Sequence, residues 1–170
     1  MPRWKKQKLR DFFLTMNENK YLPILEILYT KKQADKLNTQ IEEFIASLYK
    51  NEKNMQRIQK IFSYEFTEAL LDAIKNEKIS LNNHEKLRTY LTNIREEISQ
   101  IPVIDLTIAI DPTHQQIKKI GSWITANSKE KYLLNIHVNP KIIGGIQIGI
   151  KGTFKDKSLR KQLAELPLSL

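Results

Sequence analysis

With 170 residues, 41% of them hydrophobic and 28% charged, the chain has room for one or two small domains of ordinary globular composition. It carries no cysteine, which excludes disulfides, thiolate zinc sites and cysteine nucleophiles together. The net charge of +9 is spread along the chain, with 18 basic and 14 acidic residues in 1–100 and 10 and 5 in 101–170; a lysine-rich solvated surface accounts for it, and a polyanionic partner is the alternative.

No stretch approaches the roughly 18 apolar residues of a membrane span. The basic start from Met1 to Lys6 lacks the apolar segment of a secretory signal. Residues 4–16 then place Leu9, Phe12, Phe13 and Met16 at helical spacing. Asn17-Glu18-Asn19 breaks that pattern, and Pro23 suits the first turn of a second helix carrying Ile24, Ile27 and Leu28. From Gln33 to Lys50 the set Leu37, Ile41, Phe44, Ile45 and Leu48 forms a helical stripe. Another runs from Asn54 through Ile58, Ile61, Phe62, Phe66, Ala69, Leu70, Ala73 and Ile74, as one long helix or as two joined near Ser63. After a break at 76–83, Leu87, Leu91, Ile94 and Ile98 mark a helix over 85–99. The first hundred residues contain no glycine and read as an all-helical bundle.

The character changes at Ile101-Pro102. Val103, Ile104, Leu106, Ile108 and Ile110, partly alternating with Asp105, Thr107 and Ala109, predict a strand that ends at Asp111-Pro112. Ile117, Ile120 and Ile124 fit a short helix over 113–127, and Leu133, Leu134, Ile136 and Val138 a second strand. Ile146, Ile148 and Ile150 alternate with Gln147, Gly149 and Lys151, the period of a strand with one buried face. Gly144-Gly145 ahead of it allows a bulge, a turn or a close chain approach; Gly152 allows a tight reversal, with Phe154 returning along the sheet. Asp156 or Ser158 can cap a short terminal helix bearing Leu159, Leu163 and Leu166 on one side. The fold class is thus α+β: an N-terminal all-α helical bundle over 1–100 and a small α/β C-terminal domain over 101–170.

The segment from Asn139 to Leu163 resembles the C-terminal signature of the F-type ATP synthase delta subunit, the oligomycin-sensitivity-conferring protein family. Pro140, Ile142, Ile143, Gly144 and Gly145 match its first half, and Phe154, Asp156, Ser158, Leu159, Arg160 and Leu163 its second. Lys157 departs, standing where the family usually has glycine between the Asp and the Ser; if that position needs a positive φ, Lys157 is strained or the turn differs. A second departure lies at the N-terminus, where the family's Tyr-Ala-x-Ala-Leu helix pattern is absent. The resemblance implies a helical domain gripping the N-terminal tails of the alpha subunits, and a C-terminal domain joining peripheral stalk subunit b. It implies a non-catalytic stator role that couples proton flow to ATP synthesis, and a place at the cell membrane, peripheral on the cytoplasmic side. Pro140, Ile143, Gly144, Gly145, Asp156, Ser158, Leu159, Arg160 and Leu163 are the candidate structural and interface residues.

No catalytic, cofactor or metal site is expected from the residues themselves. His84, His114 and His137 are far apart, with no ligand at i+4. Glu42-Glu43 and Glu96-Glu97 fit solvated helix faces better than an acid/base pair. The glycines lack phosphate-cradling spacing, and Ser122 and Ser158 lack a nucleophile elbow. The aromatic residues, among them Phe44, Tyr49, Phe62, Tyr64 and Phe66, fall mostly in helical stripes and read as core. A basic nucleic-acid-binding adaptor is the alternative function. Lysines and arginines scattered among acids argue against it, and no nucleic acid is expected.

Overall fold

Hydrophobic spacing decides the helices of the first half. The computed structural model describes residues 20–50, 53–128 and 130–165. The expected helix over 4–16 and the terminal Leu166 lie outside them. Within them run α1 (Leu22–Glu26), α2 (Lys31–Ser47), α3 (Asn54–Ile61), α4 (Tyr64–Asn76) and α5 (His84–Gln100), followed by β1 (Val103–Ile108), α6 (His114–Asn127), β2 (Leu133–Val138), a 3-10 turn (Pro140–Ile142), β3 (Gly145–Ile150), β4 (Thr153–Ser158) and α7 (Leu159–Ala164). The architecture is α+β, helices first and a small sheet after.

Each helix of the first half buries one stripe. Leu37, Ile41 and Phe44 of α2, Ile58 of α3, Phe66, Leu70 and Ile74 of α4, and Leu87, Leu91, Ile94 and Ile98 of α5 are all buried. Pro23 does sit in the first turn of α1. The long stripe after Asn54 resolves into two helices: Phe62 and Ser63 take extended backbone (ψ 150° and 159°) and break the helix between them. Asn83 caps α5 by accepting from Lys86 N at 3.0 Å. Phe44 and Phe62 meet edge-to-face at 5.8 Å, so both are core as their spacing implied. Tyr49 and Tyr64 are not: at 69% and 78% exposure they stand in water beside stripes that bury their neighbours. Tyr90 is buried against Tyr21, its hydroxyl donates to the Lys20 carbonyl at 3.2 Å, and burial raises the phenol's pKa.

The chain divides into two compact units. The first holds residues up to Leu28 and Lys32–Ile101, the second Tyr29–Lys31 and the residues from Pro102 on. The three-residue visit has a backbone reason. Thr30 makes a parallel bridge to Leu134, and Leu134 N donates to the Tyr29 carbonyl at 2.9 Å, so this piece lines the outer edge of β2.

The sheet order is β2-β1-β3-β4, with β1 and β2 parallel and the other two pairs antiparallel. Register puts Leu134, Ile136 and Val138 of β2, Ile104, Leu106 and Ile108 of β1, and Ile146, Ile148 and Ile150 of β3 on one face. The other face carries Asn135, Asp105, Thr107 and Gln147, with Asn135 donating to Asp105 at 2.7 Å. β1 ends at Ile108, short of the expected stop, so Ile110 lies beyond the strand, and Asp111-Pro112 does not open α6. The helix starts two residues later, where Thr113 and Gln116 form a reciprocal capping box. Gly121 is the residue of α6 that is buried, because the Tyr29 ring lies where a Cβ would project, 2.6 Å from Tyr29 Cδ1.

Candidate interaction surface

The hairpin β3–β4 turns through Lys151 and Gly152, both at positive φ (44° and 79°), between the paired Ile150 and Thr153. Two central residues at positive φ make the hairpin turn whose twist suits the strands. Lys151 tolerates it with help from Glu130, whose carboxylate accepts from Nζ at 3.1 Å. The same contact raises the Lys151 pKa and lowers that of Glu130.

The ends of this hairpin gather most of the signature residues. Gly145 pairs with Ser158, and Leu159 N donates to the Gly144 carbonyl at 2.9 Å. Gly145 is required twice over. Its φ is +75°, and an added Cβ would press into the Lys157 carbonyl and lie 3.1 Å from Ser158 Cα. Gly144 is less constrained, since its Cβ would meet a movable methyl, Leu159 Cδ1, at 2.8 Å. The cap of α7 falls to Ser158, buried, whose hydroxyl accepts from Lys161 N at 3.2 Å. Asp156 serves that cap indirectly: it accepts from Ser158 N at 2.8 Å and from Gln147 Nε2 at 2.9 Å. Hydrogen bonding from Ser158, with Gln147 and the charge of Lys161 adding to it, holds the Asp156 carboxyl below its ordinary value.

Lys157 is not strained by standing in place of a glycine. It lies in extended β4 opposite Ile146, and the positive φ falls elsewhere, at Ile143, Gly145, Lys151 and Gly152. Pro140 opens the 3-10 turn behind Asn139, whose side chain accepts from Lys141 N at 3.1 Å. Leu159 covers Gly144 yet stays 44% exposed, and Leu163 is 55% exposed. Arg160 is exposed and makes no side-chain hydrogen bond or ion pair among the described residues.

A feature that the spacing did not reveal lies on the apolar face. Among the described residues α6 lies against it, and the isoleucines of β3 stay half-buried. A groove of about 480 Å³ runs between Ile104, Leu106, Ile146 and Ile148 of the sheet and Ile120 and Trp123 of the helix. It adjoins a second hollow of about 450 Å³ walled by Ile108, Ile110, Pro112, Ile143 and Gly144. Lys119 and Ile120 line both. Trp123, Ile110 and Ile143 are 67%, 74% and 61% exposed, an apolar concentration unusual for a free surface. One signal was available in the sequence. A four-stranded sheet with isoleucine on every inward position of β3 needs more than one helix to cover it.

Among the described residues no group of three His, Asp or Glu side chains is placed to hold a metal. No helix among them is long and apolar enough to cross a membrane.

The family model described as the ATP synthase delta (OSCP) subunit matches residues 17–170, through both units. The chain belongs to that family. The ATP synthase subunit delta of Methylorubrum extorquens strain PA1 is 24% identical over 168 residues, covering 88% of each chain. That of Methylobacillus flagellatus is 35% identical over 66 residues, 39% of this chain and 37% of its own. The resemblance carried by Pro140, Gly144-Gly145 and Asp156-x-Ser158-Leu159-Arg160 therefore holds for the chain as a whole. A delta (OSCP) subunit is a component of the ATP synthase, a membrane-associated complex, and its work is ATP synthesis by that complex.

Proposed function

We propose that the chain is a non-catalytic stator subunit, linking the alpha/beta catalytic head of an F-type ATP synthase to its peripheral stalk. The helical unit, residues 1–100, binds the N-terminal tails of the alpha subunits. The α/β unit, Tyr29–Lys31 with the residues from Pro102 on, joins stalk subunit b, and the protein sits at the cell membrane on the cytoplasmic side through the complex. The observation that carries this reading is the family match across both units. The half-open apolar face of the second unit supports it, because a torque-bearing joint needs desolvated contact area rather than a reacting group.

Trp123→Asp with Ile110→Asp tests it, as both side chains are mostly in water and their replacement leaves the described core untouched. The expected outcome is retained binding to the alpha-subunit tails, lost co-isolation with subunit b, and ATP hydrolysis without proton pumping in reconstituted membranes. Fully coupled pumping by this variant would sink the reading, as would parent protein that binds RNA but neither head nor stalk.

A further inference from the structure

Three non-glycine residues among those described take positive φ, and two are lysines, Lys78 and Lys151. The third is Ile143, β-branched, at φ 68° and ψ −41°, close to the rare and strained γ-turn region. Core packing does not explain why it is held there. Ile142 takes the buried place, 2% exposed, while Ile143 projects at 61%. The backbone around it is pinned: Ile143 N donates to the Pro140 carbonyl at 3.0 Å, and the next two residues are fixed by Leu159 and by the chain at Lys157 and Ser158. Strain of this kind persists where the surroundings over-determine it, and it gathers at ligand clamps. The conformation leaves a large apolar side chain lining the hollow that adjoins the groove, together with Ile108, Ile110 and Pro112.

The rim of the groove carries a second, independent observation. Lys119 lines both hollows, and Lys155 and Lys157 pair with Ile148 and Ile146, so they share the apolar face of the sheet. No acid lines either hollow, and none of these three lysines is in an ion pair among the described residues. An apolar floor with a cationic rim is complementary to a helix that carries an apolar stripe between acidic residues.

We propose that Ile143 is a binding anchor, kept exposed by its strained backbone, and that the groove receives an amphipathic partner helix flanked by acidic side chains. This rests on the reading that the second unit attaches to the stalk through this face. It adds the residue that confers grip and the charge that the partner must bring.

The test uses the full chain with Trp4→Phe, which leaves Trp123 at the groove as the single tryptophan reporter. The probes are two synthetic helices of about 20 residues with one leucine stripe, flanked by glutamate in one and lysine in the other. The glutamate probe should bind at least about tenfold tighter at low salt, shift Trp123 emission to the blue, and lose its advantage as salt rises. Ile143→Gly accepts the backbone without strain. It should hold or raise Tm by about 2–4 °C while weakening the glutamate probe about tenfold, whereas Ile143→Val should bind within about threefold of the parent. A merely structural Ile143 would lose Tm and affinity together in the glycine variant. Equal binding of both probes, no binding of either, or parental affinity in Ile143→Gly overturns the proposal. An Ile143→Gly protein that co-isolates with subunit b as firmly as the parent sinks this inference and leaves the stator reading standing. A parent that fails to co-isolate at all sinks the stator reading itself.

Discussion

The two units handle apolar surface in opposite ways. Of the 25 buried hydrophobic residues in the described structure, 20 belong to the helical unit and five to the α/β unit: Ile104, Leu106, Leu133, Leu134 and Ile142. In the first unit the stripes of α2, α4 and α5 are closed, with Phe44, Leu87, Leu91 and Ile94 fully out of water. In the second, every isoleucine of β3 is half-buried, and the tryptophan of α6 faces solvent. A closed stripe is explained by folding alone. An open one, in a sequence that could have used polar residues, calls for a partner to complete it.

Substitutions should divide along the same line. Phe44→Ala removes a fully buried ring that meets Phe62, and unfolding by denaturant should show a loss of about 3–5 kcal/mol. A loss below 1 kcal/mol there would mean that the first core is looser than it looks. Gly145→Val puts a side chain against the Lys157 carbonyl at a backbone angle that suits glycine. It should cost about 1–3 kcal/mol, more than Gly144→Ala, where only the Leu159 side chain must yield. If the two glycine variants unfold alike, the close approach at Gly145 is not the reason for the pair. Trp123→Ala should change stability by no more than about 0.5 kcal/mol, as for other exposed positions. A large loss would show that the open face is core after all.

The smallest effect is the pH response of the α7 cap. The Asp156 carboxyl is held low by hydrogen bonds from Ser158, so its folded pKa lies below its unfolded value near ~3.9. Its contribution is therefore fully present above the unfolded pKa and is lost as pH falls through the folded one. Melting of the parent and Asp156→Asn should differ at pH 6 and converge as pH falls through the lowered folded pKa. A constant difference across that range would place the role of Asp156 in shape rather than in charge.

Much of this was legible in the residues. Apolar spacing found the helical stripes, alternation found β1, β2 and β3, and Ser158 was among the expected caps. What escaped depends on long-range geometry. Nothing local to Tyr29-Thr30-Lys31 says that it will lie along β2, because the partner, Leu134, is over a hundred positions away. Ile143 reads in the sequence only as an apolar member of the signature, and its positive φ comes from being tied between Pro140 and the fixed glycines. Whether the position of Lys157 needs a positive φ was left open because a register cannot be read from composition, and it does not need one. The hairpin reverses at Lys151-Gly152, and Lys157 falls well inside β4.

The early visit of Tyr29–Lys31 to the second unit bears on the order in which the chain can mature. On a ribosome these residues emerge long before Leu134 exists, so the edge pairing must wait while the intervening helices collapse. Closing a loop of this length adds an entropic toll that grows only logarithmically with length, so the delay is kinetic more than energetic. Excision at the Ile101-Pro102 junction would also yield an incomplete fragment. A piece starting at Pro102 lacks the Tyr29 ring beside Gly121 and the carbonyl that Leu134 N donates to. Its bare β2 margin would invite another strand, and expressed alone it should self-associate until a peptide spanning residues 27–33 is added back.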